Sequence, residues 1–79
     1  INFDKNIIQM VTNTFTASIH KEGDLYVASC IEVGTVSQGE SLEEALVNLK
    51  EATELYLDEF PIIEMAPTFL TTFTTVAYA

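Results

Sequence analysis

The strongest constraint on the fold is one long helix signal between Ser41 and Pro61. Ser41 opens a Ser-Leu-Glu-Glu capping box, in which the serine hydroxyl accepts the backbone N–H three residues later. The apolar positions that follow recur at the spacing of an amphipathic helix with one buried face. Pro61 disfavours helical geometry at Phe60 and ends the helix there. The predicted core stripe is Leu42, Ala45, Leu46, Leu49, Ala52, Thr53, Tyr56, Leu57 and Phe60.

Two apolar side chains of this helix fall outside the stripe. Val47 and Leu55 lie outside it, whereas the opposite face of the helix is polar and mostly charged. Exposed apolar side chains can mark a surface that another protein covers. We therefore predict that Val47 and Leu55 contact a second subunit.

Three short strands are predicted before the helix. Residues 12–20 alternate apolar and polar side chains, as expected for a strand with one buried face. Residues 21–24 are polar and contain a glycine, which favours a tight turn. Residues 25–30 form the returning strand of the hairpin, and residues 35–38, between two glycines, are long enough for a third strand.

The last predicted element is a strand over residues 68–78. This segment carries no charge and consists mainly of threonine, aromatic and aliphatic residues, which favour β structure. An uncharged strand with an open edge is prone to aggregation, so the sheet or a second subunit is expected to cover it. Phe69 and Phe73 are the predicted contact residues.

The predicted fold class is α+β: a β-β-β-α-β domain in which one helix packs on an antiparallel sheet. Residues 1–79 are expected to form a single domain with its core in 12–78. The apolar side chains of residues 1–11 follow no clear periodicity, so these residues are expected to be either a flexible end or an extra strand. A domain of this size buries only about 60% of its unfolded surface, which favours a homo-oligomer, a dimer or a tetramer.

Charge and composition limit the kinds of partner. The chain has 12 acidic and 3 basic residues, a net charge of −9, so it lacks the basic footprint of a nucleic-acid-binding protein. A basic protein is the complementary partner. Because 48% of the residues are hydrophobic, the high charge does not indicate disorder.

The expected location is the cytoplasm. No apolar stretch approaches the ~20 residues of a membrane span, and no secretory leader is visible. A single cysteine, Cys30, excludes an internal disulfide and suits a reducing compartment.

No catalytic, cofactor-binding or metal-binding residue is predicted, and the chain is not expected to be an enzyme. Cys30 and His20 could form a nucleophile pair only in direct contact, and a buried structural cysteine with a surface histidine is the preferred interpretation. Eight of the twelve acids lie in 40–64, mainly on the outside of the helix. A residual metal-dependent nuclease is the enzymatic alternative. It would be supported if the protein cleaved RNA and the Asp24→Asn variant did not.

Two parts of the sequence resemble a known protein family. Residues 15–19 (FTASI) and 23–30 (GDLYVASC) resemble the opening hairpin of HicB-like antitoxins. Residues 36–46 (VSQGESLEEAL), continued by 48–52 (NLKEA) and 55–57 (LYL), resemble its core signature. The resemblance covers roughly residues 14–60, and 68–78 fit the family's last strand less distinctively.

The resemblance implies a truncated ribonuclease-H-like fold without catalytic acids. HicB proteins neutralise HicA, a small basic toxin that cleaves mRNA, and commonly form dimers or larger oligomers. Many carry an added DNA-binding segment and repress their own operon. No such segment follows Tyr78, so we expect neither DNA binding nor autorepression by this chain.

Together, charge and resemblance predict an acidic antitoxin that blocks the RNA-binding site of a basic HicA-like toxin. The alternative is a self-associating HicB-like regulatory module without a toxin partner. The candidate toxin-contact residues are Glu22, Asp24, Glu32, Glu40 and Glu43.

Overall fold

A computed structural model describes residues 13–62 and 65–78 of the chain. These residues contain three strands and one helix, β1 (Ala17–Glu22), β2 (Leu25–Cys30), β3 (Val36–Gly39) and α1 (Leu42–Glu59). The strands form one antiparallel sheet in the order β1-β2-β3, and α1 packs against one of its faces. The predicted α+β class is confirmed, while the calls on residues 1–11 lie outside the described residues.

The hairpin forms where the sequence predicts it. β2 has the predicted bounds, whereas β1 begins five residues later than predicted and continues to Glu22. Only Gly23 and Asp24 connect the two strands. Gly23 has φ 60°, a left-handed conformation that glycine adopts without a steric penalty.

The ends of α1 are also where local signals place them. Ser41 Oγ accepts the N–H of Glu44 at 3.1 Å, which is the first half of the predicted capping box. The reciprocal bond from the Glu44 carboxylate to the Ser41 N–H is not formed. At the other end the Phe60 N–H donates to the carbonyl of Tyr56 at 2.9 Å and closes the last turn before Pro61.

The core is small and consists mostly of short side chains. Ala28 and Cys30 of β2 pack against Ala45 and Leu49 of α1, and all four are at most 4% exposed. Short side chains let the helix approach the sheet closely. The helix is also held by a part-buried polar contact, in which the hydroxyls of Thr53 and Thr35 lie 2.6 Å apart.

The prediction that the whole apolar stripe of α1 is buried is wrong at several positions. Leu42, Leu46, Tyr56 and Phe60 are between 39% and 58% exposed. An 18-residue helix is about 27 Å long, whereas strands of 4–6 residues span only about 13–20 Å. The sheet is therefore too short to cover both ends of the helix.

The predicted fourth strand is absent from the described part of the chain. Residues 65–78 have no regular secondary structure, and residues 66–78 are exposed throughout. The sequence has the right composition for a strand, but a strand also needs a neighbour for its backbone hydrogen bonds. In residues 13–62, the described strands pair only with one another and not with this segment.

Candidate functional site

Strand register brings predicted contact residues together at one end of the sheet. Gly39 of β3 pairs with Tyr26 of β2, so the next residue, Glu40, lies level with Leu25. Leu25 in turn pairs with Glu22 of β1. Glu22 and Glu40 therefore flank the same position of β2, with their Cα atoms roughly 10 Å apart across two strand spacings.

The β1–β2 turn and the start of α1 add further carboxylates at this end. Asp24 lies in the turn, and Glu43 and Glu44 lie in the first turn of the helix. All of these side chains are exposed. We call this group the acidic end; its members are Glu22, Asp24, Glu40, Glu43 and Glu44.

The acidic end carries little compensating positive charge. Its described cation is Lys21, whose Nζ lies 5.7 Å from the centre of the Tyr26 ring. Glu22 Oε1 lies 3.2 Å from His20 Nε2, an exposed contact that is ionic only when the histidine is protonated. The positive N-terminal end of the helix dipole stabilises the carboxylates of Glu43 and Glu44, which is a structural reason for their presence. Even so, five exposed carboxylates face one lysine.

Glu32 is separated from the other predicted contact residues. It lies just after β2, at the end of the sheet opposite the acidic end. Its carboxylate accepts both the backbone N–H and the hydroxyl of Thr16, each at 2.7 Å. The Cys30 thiol lies 3.7 Å from the same carboxylate. Glu32 thus ties the β2–β3 connection to the residue before β1.

The Glu32 carboxylate is stabilised in its ionised form. The backbone N–H of Thr16, followed by the Thr16 hydroxyl, lowers the pKa of Glu32 from 4.5 to about 2. The Thr68 hydroxyl lowers the pKa further, while desolvation opposes these effects. Sequence reasoning missed Thr16 and Thr68 because nothing local links them to Glu32.

We expect Glu32→Gln to weaken folding at neutral pH and to reduce the loss of stability on acidification. Because the pKa of Glu32 is lower in the folded state, its stabilisation is complete above about pH 4.5 and is lost as the pH falls towards about 2. Urea unfolding across this range would measure the effect. Glu51→Gln, on the exposed side of α1, is the matched control and should preserve the wild-type pH profile. Equal pH profiles for wild type and Glu32→Gln would contradict this role.

Cys30 and His20 do not form a nucleophile pair. Cys30 lies on the side of the sheet that faces α1, in the core, and is 3% exposed. His20 pairs with Val27, which lies between core-facing residues of β2, so its side chain is on the other face. In residues 13–62 and 65–78, no three acidic, histidine or cysteine side chains are close enough to hold a metal ion. No helix among the same residues is long and apolar enough to cross a membrane.

The predicted subunit-contact residues are accessible. Val47 and Leu55 are 62% and 63% exposed on α1, and Phe69 and Phe73 extend from the domain. Their part in assembly stays a prediction.

Part of the chain is similar to a known protein. A protein of Helicobacter pylori (strain J99) described as "UPF0150 protein" is 61% identical over 33 residues. The matched segment covers 42% of this chain and 46% of the relative, so the chain spans less than half of that protein's length. No protein-family model and no solved structure matches the chain.

Proposed function

We propose that this chain is an antitoxin-type protein that binds a small basic HicA-like toxin and covers its RNA-binding surface. The acidic end is the observation that carries the proposal. A ribonuclease needs lysines and arginines to hold RNA phosphates. A protein that presents several carboxylates on one surface can occupy those cations in place of RNA.

The sequence supports the same proposal. Residues 14–60 resemble HicB-like antitoxins, and they contain the whole of the described sheet and helix. The partial similarity to the UPF0150 protein is compatible with a toxin–antitoxin-related family. Glu32 is left out of the proposed surface because its carboxylate is held by Thr16 at the other end of the sheet.

Charge reversal at the acidic end tests this function. The test variant combines Glu22→Lys, Asp24→Lys, Glu40→Lys and Glu43→Lys. The control variant makes four reversals on α1 away from the acidic end, Glu51→Lys, Glu54→Lys, Asp58→Lys and Glu59→Lys. Both variants change the net charge equally, so a difference between them reports on position rather than on total charge.

We expect the test variant to lose at least roughly 100-fold in affinity for a toxin encoded next to this chain's gene, with the toxin's catalytic histidine replaced. The control variant should lose less than about tenfold, mainly through slower association. Titration calorimetry measures the affinity, circular dichroism checks the fold, and co-expression with active toxin measures growth rescue. Equal affinities for wild type and test variant would reject charge-complementary binding.

A self-associating module without a toxin is the second candidate. The exposed, uncharged segment beyond Pro67 favours it, because such a segment is suited to pairing with another copy rather than with a cationic surface. If the wild-type chain binds no adjacent basic protein and rescues no growth, this second function is favoured.

A further inference from the structure

The uncharged end of the described chain lacks a neighbour. We call residues 69–78 the tail. Phe69, Phe73 and Tyr78 are 87%, 88% and 97% exposed, and no charged side chain interrupts the tail. Its composition favours a strand, and exposed apolar side chains such as these can mark a surface that another protein covers.

Among the described residues, no strand pairs with the outer edge of β1. The N–H of Ile31 donates to the carbonyl of Thr16 at 2.9 Å, so the backbone groups of Thr16 point towards β2. Hydrogen-bonded positions recur at every second residue of an antiparallel pair. Ser18 and His20 therefore bond to β2. The residues whose backbone groups face outward are Ala17, Ile19 and Lys21.

The other edge of the sheet is less available. β3 has only four residues. Asn48 of α1 donates from Nδ2 to the carbonyl of Gln38 at 2.8 Å, so the helix already occupies an outward-facing acceptor of β3. β1 is therefore the longer and less obstructed edge.

The apolar side chains on the helix-facing side of β1 are only partly covered. The Asn48 contact turns one side of α1 towards β3, so the opposite side, which carries Leu46, faces β1. Leu46 is 49% exposed, while Phe15 and Ile19 are only partly buried against the core. We call the surface formed by Phe15, Ile19 and Leu46 the β1 groove. It is apolar, as is the tail.

The anchor of the tail directs it away from its own β1 edge. Thr68 lies beside Thr16 and Glu32 around one small cavity, and the Glu32 carboxylate accepts the Thr16 N–H. That N–H lies on the β2 side of Thr16, because the Thr16 carbonyl bonds to β2. The tail therefore starts on the β2 side, whereas the open edge lies on the other side. Phe69, the next residue, is already almost fully exposed.

We infer that the tail of one chain adds as a fourth strand to the β1 edge of a second copy, with Phe69 and Phe73, which share one face of an extended strand, in that copy's β1 groove. Two copies exchange tails reciprocally around a two-fold axis. Ten extended residues reach about 33 Å, which exceeds the roughly 20 Å length of β1. This dimer holds with or without a toxin partner, so it is independent of the proposed function.

The molar mass in solution and the hydrogen-exchange rates of the β1 amides together test whether two copies swap their tails. Light scattering on the full chain gives the oligomeric state, and NMR hydrogen exchange reports each amide of β1. In the wild-type dimer, the amides of Ala17, Ile19 and Lys21 should exchange at least roughly 100-fold more slowly than in Phe73→Lys, which should be a monomer. The Ser18 and His20 amides bond to β2 and should stay protected in both proteins, which also verifies that the variant folds.

A second variant separates the tail from the uncovered face of the sheet. Val36→Lys places the same charge at a residue that is 60% exposed on that face, and it should leave the dimer intact. A wild-type monomer with protected outward amides would overturn the inference, because the β1 edge would then be covered within its own chain. A dimer with unprotected outward amides, or one broken only by Val36→Lys, would overturn it in favour of another interface.

Discussion

Gly39→Ala is expected to lower the free energy of unfolding by about 3 kcal/mol and the Tm by roughly 15 °C. An added Cβ would lie 2.5 Å from the backbone nitrogen of Ala45 and 2.8 Å from the carbonyl carbon of Glu44. Both are backbone atoms of the first turn of α1, so no side-chain rotation relieves the overlap. The helix must move away from β3, and this movement separates Ala45 from Ala28 in the core.

Gly23→Ala is the matched control for this prediction. Gly23 also follows a strand, but no atom lies within 4 Å of its added Cβ, and its φ of 60° is the only obstacle. The left-handed conformation should cost about 1 kcal/mol. Thermal unfolding of the two variants and the wild type gives the comparison. If Gly39→Ala melts no lower than Gly23→Ala, the close approach of α1 to β3 is not a rigid feature of the fold.

The elements that the sequence predicts well are those specified by neighbouring residues. Ser41 and Pro61 define the helix because a cap and a proline act on the backbone beside them. The hairpin is similarly local, since a glycine-containing turn joins two adjacent strands. The acidic end became visible only with the strand order, because β1 and β3 end, and β2 begins, at the same side of the sheet, whereas the sequence alone grouped Glu32 with these residues.

The features that the sequence could not predict depend on contacts between distant residues. Glu32 looks like another surface acid until Thr16, 16 positions earlier in the chain, is seen to donate to it. Asn48 reads as part of the polar helix face, yet its side chain bonds to the edge of β3. The stripe from Leu42 to Phe60 fits a helix but says nothing about the length of the sheet beneath it.

The fourth strand shows the same limit most clearly. Residues 68–78 have the composition of a strand, and that signal is local. Whether they form one depends on a row of free backbone groups in the same chain or in another. The outward-facing backbone groups of β1 are identified by the hydrogen bond between Ile31 and Thr16, which no pattern of side chains encodes.

Leu49→Ala should destabilise the fold by about 4 kcal/mol, within the usual range for truncating a buried leucine. Leu49 is 4% exposed and is the largest side chain of the buried core cluster. Its buried neighbours are Ala28, Cys30 and Ala45, which have no long side chains that could move into the space. Phe15, Ile19 and Tyr26 pack against the cluster from its rim and can fill only part of the cavity, so the cost should lie above the lower end of that range. Chemical denaturation measures it directly.

Leu55→Ala makes the same change on the same helix at a residue that is 63% exposed. In a monomer this truncation should cost less than about 0.5 kcal/mol. If Leu55 contacts a second subunit, as the sequence predicts, its cost should rise with protein concentration, because assembly stabilises the folded chain by mass action. Melting both variants at concentrations about tenfold apart separates the two roles. Equal losses for Leu49→Ala and Leu55→Ala at the lower concentration would contradict a core centred on Leu49, since only a buried side chain leaves a cavity in the isolated domain.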